Sequence, residues 1–316
     1  MAKEIRNWPI KNRADPNGWL TKILAWGQSH QVNDFYFLPG ANDYVLKGQV
    51  KGRLELLDQL DNEFAQRVLA VIKYRADLNL AENRRPQLGR FDFEKIFVRV
   101  STVGDFLGHE SAVLRLVISN LSHLRWFDDG LWQDLIKTRP GSGLYVLAGP
   151  TGAGKTSTLY RLLEDWSVGQ VVLTVEDPVE IYRSQYLQLQ VNDQAGIDYQ
   201  ALIKVALRHR PDILVIGEIR DFKTAQAALQ AALSGHLVLT TVHANSELAV
   251  LDRLEDLGLD RQLVGQALVK TVYQQLLVES GGGLAVVAGV ASWQAGQVVN
   301  HLPYEDGYEK FIGRNR

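Results

Sequence analysis

Near the middle of the chain, Gly149-Pro150-Thr151-Gly152-Ala153-Gly154-Lys155-Thr156 fits G-x-x-x-x-G-K-[ST], the pattern of a phosphate-binding Walker A loop. Glycines let such a backbone curl until successive N–H groups face a polyphosphate, and a helix starting there adds its positive amino end. Lys155 can reach β- and γ-phosphates, and the Thr156 hydroxyl can ligate Mg²⁺. Ser157 extends the same wall. A glycine-rich turn between a strand and a helix is the plain alternative. The flanks favour the loop: an apolar run, Leu144–Ala148, precedes it, and Leu159, Leu162, Leu163 and Trp166 follow as one helical face.

Three more groups with chemical potential stand after later apolar runs. Val171–Val175 leads into Glu176-Asp177-Pro178-Val179-Glu180, where the proline ends the strand and sets the carboxylates at the P-loop edge of a sheet. The same residues also read as a capped turn. Ile213–Ile216 leads into Gly217-Glu218-Ile219-Arg220-Asp221, which resembles a Walker B element with Gly217 where a Mg²⁺-binding aspartate usually stands. Glu218 then polarises the attacking water. Mg²⁺ rests on Thr156, phosphate oxygens and water, with Glu218 contributing through water and Glu176 from further out. Asp221 reads equally as the N-cap of a helix from Phe222. His236 and His243 bracket a fourth apolar run, and His243, at its carboxyl end, is placed to contact a γ-phosphate and sense its loss. A packed or surface histidine is the ordinary reading of each.

The elements that must position these residues fall into two halves. Before residue 119, the periodicity predicts a helix through Leu20, Ile23 and Leu24 that ends near Gly27, and a strand at Phe35–Leu38. It also predicts a hairpin over 43–57 with Lys47-Gly48 or Lys51-Gly52 in its turn, and a helix through Phe64, Val68, Val71 and Ile72. A polar segment, Asn79–Gly89, follows. Of two alternating strands, the first buries Ile96, Val98 and Val100 opposite Arg99, and the second buries Leu114, Leu116 and Ile118 opposite Arg115. From Leu144 the pattern becomes strand–helix alternation, with strands at 144–148, 171–175, 213–216 and 237–242 and helices at 156–166, 199–208, 223–233 and 247–257. A further strand is expected at Ala285–Val290. The expected layout is an α+β domain over 1–135, a linker over 136–143 and an α/β domain over 144–316.

Bulk properties narrow the function. A net charge of -2 gives no electrostatic case for direct nucleic-acid binding. The absence of cysteine excludes disulfides and thiolate metal sites. Met1–Pro16 lacks a signal-peptide core, and no apolar run approaches the ~20 residues of a membrane span. The expectation is a cytoplasmic protein that reaches a membrane only through partners.

Taken together, GPTGAGKT (149–156), VEDPVE (175–180), RPDILVIGEIRD (210–221) and GHLVLTTVHA (235–244) resemble, in order and spacing, the four nucleotide-site boxes of the type II secretion/type IV pilus ATPases. ENRRPQLGR (82–90) and VRVSTVGDFLGHESAVLRL (98–116) extend the resemblance over residues 18–278. It implies a RecA-like P-loop motor domain preceded by a smaller PAS-like α+β domain, using ATP and Mg²⁺ and assembling as a homo-hexamer. It also implies that Arg99, Arg115 and Arg90 reach the phosphates from the first domain, although exposed cross-strand ion pairs would place the same arginines equally well. The partners implied are an inner-membrane platform protein and, through it, pilins. The chain's size and its lack of a four-cysteine module are similar to the short competence ATPases that assemble a pseudopilus for DNA uptake. Retraction by the same family, and nucleic-acid translocation by another RecA-like class, are the alternatives. Tyr36, Leu38, Arg210 and Gln275 depart from the family pattern outside the nucleotide site.

Overall fold

The computed structural model describes residues 13–30, 32–50, 53–94, 96–117, 125–192, 195–280 and 282–315, and the chain divides into two compact units, Met1–Ser119 and Asn120–Arg316. The second unit therefore takes the described residues 125–135, which the sequence pattern groups with the first half. The reason is aromatic packing: Trp126, Trp132 and Leu135 share a core with Tyr145, Leu147 and Trp166. Trp166 Nε1 also donates to the Ile136 carbonyl at 2.8 Å.

The first unit comprises α1 (Pro16–Ser29), β1 (Val32–Pro39), β2 (Asp43–Val50), β3 (Arg53–Asp61), α2 (Asn62–Arg75), β4 (Gln87–Phe93), β5 (Ile96–Gly104) and β6 (Glu110–Val117). Its antiparallel sheet has the order β3-β2-β1-β6-β5-β4. Asp15 caps α1, with Pro16 at the first helical position, and Asp61 caps α2. Trp19, Leu20, Ile23 and Leu24 of α1 and Phe64, Val68 and Ile72 of α2 pack on the face carrying Phe35, Phe37, Val98, Val100 and Leu114. Lys47 and Gly48 lie inside β2, opposite Leu56 and Glu55, rather than in the hairpin turn. The alternative turn, Lys51-Gly52, and Ile118 lie outside the described residues. β4 begins within the segment read as polar, because as an edge strand it buries only Phe91 and Phe93. Lys73, 1% exposed, fastens that segment: its Nζ donates to Leu80 O, Glu82 O, Asn83 Oδ1 and Glu110 Oε2 at 2.9–3.1 Å.

The second unit runs β7 (Arg125–Trp126), α3 (Asp129–Lys137), β8 (Gly143–Ala148), α4 (Lys155–Trp166), β9 (Val172–Glu176), β10 (Leu187–Gln190), α5 (Tyr199–Arg208) and β11 (Ile213–Ile216). It continues with α6 (Phe222–Leu233), β12 (Leu237–Val242), α7 (Ala249–Asp256), α8 (Arg261–Ala267), β13 (Leu268–Val278), β14 (Leu284–Gln294), β15 (Gln297–Leu302) and α9 (Tyr304–Arg314). The sheet order is β10-β9-β11-β12-β8-β13-β14-β15. Neighbours from β10 to β13 are parallel, and β14 and β15 add antiparallel. Every residue of β8, β9, β11 and β12 is buried, as expected for parallel strands covered on both faces. β14 carries both flanking segments of the unit: β7 pairs parallel with Ala285 and Val286, and β15 pairs antiparallel with Val290–Gln294. Phe127, just after β7, meets Phe311 of α9 edge-on at 5.2 Å, with the Arg314 guanidinium 5.2 Å above its ring.

Candidate functional site

Parallel pairing aligns the carboxyl ends of four strands. Ile216 of β11 lies opposite Val175 of β9 and Thr240 of β12, and Val242 of β12 lies opposite Ala148 of β8. The P-loop, Glu176, Gly217-Glu218 and His243 therefore leave the sheet at one edge, where ligands of doubly wound α/β sheets bind.

The P-loop conformation depends on its glycines. Gly149, Gly152 and Gly154 have φ of 145°, 79° and 80°. A Cβ on Gly149 would stand 2.3 Å from the Gln274 carbonyl, so the loop lies directly against β13. Gln274 is fully buried and donates Nε2 to the Ala153 carbonyl at 2.6 Å, a second tie from β13. Around Gly152 nothing lies within 4 Å of a would-be Cβ, which leaves room for a polyphosphate against the backbone. Gly154 is the N-cap of α4 and supplies no capping side chain, so the helix's first amides suit an anion. Lys155 Nζ donates to the Gly149 and Pro150 carbonyls at 2.8 and 2.9 Å. Burial lowers its pKa from the ordinary amine value, while Glu218 and Glu180 act in the opposite sense. Pro150, Thr151 and Gly152 are exposed, and Thr156 and Ser157 are half-buried at the start of α4.

Behind the loop, the acidic residues divide into two environments. Glu176 is 3% exposed and accepts from Tyr160 Oη and Thr174 Oγ1, both at 2.6 Å. Burial raises its pKa above the ordinary carboxylate value, and these hydrogen bonds partly oppose the shift. Glu218 is nearer solvent. Its Oε1 lies 3.0 Å from His243 Nε2, and its Oε2 lies 2.9 Å from Arg220 Nε and 2.8 Å from Nη2. Gly217 supports the pair: its amide donates to Val175 O at 2.8 Å, and its carbonyl accepts from Thr241 Oγ1 at 2.8 Å. A Cβ at this position would stand 3.3–3.5 Å from three atoms of Glu176, so Gly217 lies directly against that carboxylate's side chain. Asp221 caps α6 through Thr224 N at 3.0 Å. His236 is not part of this edge: it stands before the amino end of β12, with Nδ1 3.2 Å from Ala231 O.

No cluster of three or more His, Cys, Asp or Glu side chains fit to hold a metal occurs among the described residues. A cation here would rest on Thr156, on Glu218 through water, and largely on phosphate oxygens. A cleft lined by Trp126, Phe127, Leu131, Leu302 and Pro303 shares none of the residues above.

In the first unit, strand register brings the three arginines together. Arg90 pairs with Arg99, Arg99 with Arg115, and Arg115 with Asp34, forming a lateral row across β4, β5, β6 and β1. Arg115 Nε donates to Asp34 Oδ1 at 2.7 Å, and Arg90 lies 5.6 Å from the Phe97 ring centroid. Sequence reasoning missed Arg220, Gln274, Thr241 and Tyr160. Arg220 and Thr241 had a local signal, each two residues from a singled-out residue (Glu218 and His243) within a segment already quoted. Gln274 is joined to its partner across 121 positions of chain.

A P-loop on a parallel sheet of this order, preceded by an α+β unit, defines a RecA-like P-loop protein with an amino-terminal domain. The chain belongs to the T2SSE family, Type II/IV secretion system protein, which matches residues 18–282. It is 40% identical over 268 residues to the competence protein ComGA of Streptococcus pneumoniae, covering 83% of this chain and 84% of that protein. It is 36% identical over 280 residues to the type IV pilus assembly ATPase TfpB of Acinetobacter baylyi, covering 82% of this chain but only 46% of that protein. Among solved structures, it is similar to the pilus retraction motor PilT with bound ADP at a TM-score of 0.72 and 22% identity, covering 87% of this chain and 83% of that one. The ATPase DotB of Legionella pneumophila gives 0.72 and 18% over 99% and 92% of the two chains. No helix among the described residues is long and apolar enough to cross a membrane.

Proposed function

We propose that this chain is a Mg²⁺-dependent ATPase that works as a homo-hexamer and powers assembly of a competence-type pilus or pseudopilus. The observation that carries the enzymatic reading is the convergence of the P-loop with Glu218, held 3.0 Å from His243, at one sheet edge. Lys155 exchanges the Gly149 and Pro150 carbonyls for β- and γ-phosphate oxygens, while the loop amides and the amino end of α4 cradle the remaining charge. Mg²⁺, when bound, neutralises charge on the β- and γ-phosphates. Glu218 orients and polarises the attacking water, and His243 and Arg220 fix its carboxylate. Glu176, enclosed by Tyr160 and Thr174, supports this edge from behind.

Arg90, Arg99 and Arg115 supply the positive charge for phosphoryl transfer. Arg90 with Arg99, and Arg99 with Arg115, stand in directly opposed strand positions, which concentrates positive charge that a polyphosphate would meet. Delivered by a moving domain, these arginines make hydrolysis conditional on closure, which is how chemistry becomes mechanical work. The identity to ComGA across most of both chains supports the competence assignment over retraction. In this reading the motor sits at the inner face of the cell membrane on a platform protein that inserts pilins, and it binds no nucleic acid directly.

Glu218→Gln in the native host tests the proposal. ATP binding persists, hydrolysis falls by about 10²- to 10³-fold as for loss of a group stabilising the transition state, and filaments and DNA uptake disappear together. Normal filament number in that strain sinks the motor assignment. Hyperpiliation on deletion of the chain would favour retraction.

A further inference from the structure

The loop that carries His243 is fastened at a second point that the four nucleotide-site boxes do not include. Between the end of β12 and the start of α7, Glu247 turns inward and is 2% exposed. Its Oε1 lies 2.7 Å from His301 Nε2 of β15, and the imidazole N–H donates to it. Its Oε2 is buried without a hydrogen-bond partner. The position is specifically cleared on β14: a Cβ at Gly289 would stand 2.6 Å from Glu247 Oε2 and 2.4 Å from Tyr304 N. The N-cap position of α7, Leu248, gives no side-chain cap; the Ser246 hydroxyl accepts from Ala249 N at 3.1 Å, and Glu247 adds the long-range tie.

A buried carboxylate with an orphaned oxygen is a poor device for stability, because well-packed apolar residues of similar volume usually serve as well or better. It is a good device for direction. An apolar side chain can settle in several orientations, whereas a carboxylate joined to one imidazole and pressed on one glycine is fixed. Glu247 is four positions beyond His243, whose Nε2 lies 3.0 Å from Glu218. Displacement of such a contact by about 1 Å costs on the order of 100-fold in rate.

We propose that Glu247 and His301 are positioning residues that brace the His243 loop against the β14–β15 hairpin and so hold Glu218 in its hydrolytic orientation. This rests on the ATPase reading above. Neither residue belongs to the P-loop or to the Glu218–His243 pair, so the strut acts on turnover and leaves nucleotide capture alone.

The test uses the full chain and the volume-matched Glu247→Met. Its expected kcat is about 10- to 100-fold lower, with KM and ATP-analogue affinity within about threefold, and its Tm equals or exceeds that of the wild type. Glu247→Gln, which keeps an oxygen for the His301 N–H, returns kcat to within about threefold of wild type. A purely structural residue would move Tm and leave kcat in place. A second readout needs no turnover: the ring resonance of His243, one of seven histidines, assigned through His243→Gln, shifts in Glu247→Met and stays in place in Glu247→Gln. His301→Gln, altered at the more exposed end, repeats both measurements if Glu247→Met fails to fold. Wild-type kcat with an unmoved His243 resonance overturns the proposal. A wild-type protein that binds ATP without hydrolysing it overturns the ATPase reading instead, and the resonance still decides the strut.

Discussion

The two sheets put their polar residues to use in different places. The second unit's parallel strands are buried on both faces, so reactive side chains can emerge only where the strands end, as Glu218 and His243 do, with Glu176 enclosed behind them at the end of β9. The first unit covers one face of an antiparallel sheet with two helices, and its other face presents Asp34, Arg115, Arg99 and Arg90 side by side. An edge gathers residues that are far apart in sequence and holds them on short loops. A face aligns residues through register, with spacing fixed by the strands themselves. The first arrangement suits a precise catalytic pocket, and the second suits a broad anion-binding surface.

The sharpest way to break this contrast is Arg99→Ala. If the row serves phosphoryl transfer, kcat falls by about 10³-fold, the lower end for an arginine finger, while nucleotide affinity at the P-loop changes little. Unchanged turnover would reduce the row to surface electrostatics.

Next in size is Lys73→Met, which targets what holds the first unit together. It leaves the buried Glu110 carboxylate without its cation and frees the 80–83 segment. The expected loss is about 3–5 kcal/mol, measured by urea denaturation, with the second unit's transition unaffected. A loss below about 1 kcal/mol would mean that the pair does not anchor the segment.

Glu176→Gln is the smallest effect and probes the other sheet. Burial raises the folded pKa of Glu176 above its unfolded value, so the native state holds its proton more tightly. Its ionisation therefore opposes folding as pH rises above the ordinary carboxylate value of about 4.3. Glutamine keeps an acceptor for Tyr160 and Thr174 without that charge. The expected Tm gain is about 2–4 °C at pH 7, shrinking towards zero near pH 4. A gain that grows on acidification would show that the pKa moves the other way.

Much of the second unit was legible because its strands are uninterrupted apolar runs and its chemistry follows each run directly. Thus β8, β9, β11 and β12 lie within a residue or so of expectation. β13 and β15 were not assigned: β15 is exposed at nearly every position and so has no core-facing alternation to read. β4 was hidden for the same edge-strand reason. Arg99 and Arg115 could be assigned a common polar face from alternation, but their adjacency to each other and to Arg90 depends on strand register, which a single sequence leaves open. Gln274 on Ala153 and His301 on Glu247 join positions 121 and 54 apart, distances over which local patterning carries no information.

The shared use of β14 by β7 and by β15 has a mechanical consequence. The segment through which the chain enters the second unit and the one through which it finishes are buckled onto the same rib, with Phe127 and Arg314 as the clasp. Tension arriving at Arg125 along a parallel pair loads its hydrogen bonds in shear, the direction in which they must yield together. Cutting away α9 would thus slacken the opposite end of the unit, far along the chain from the cut.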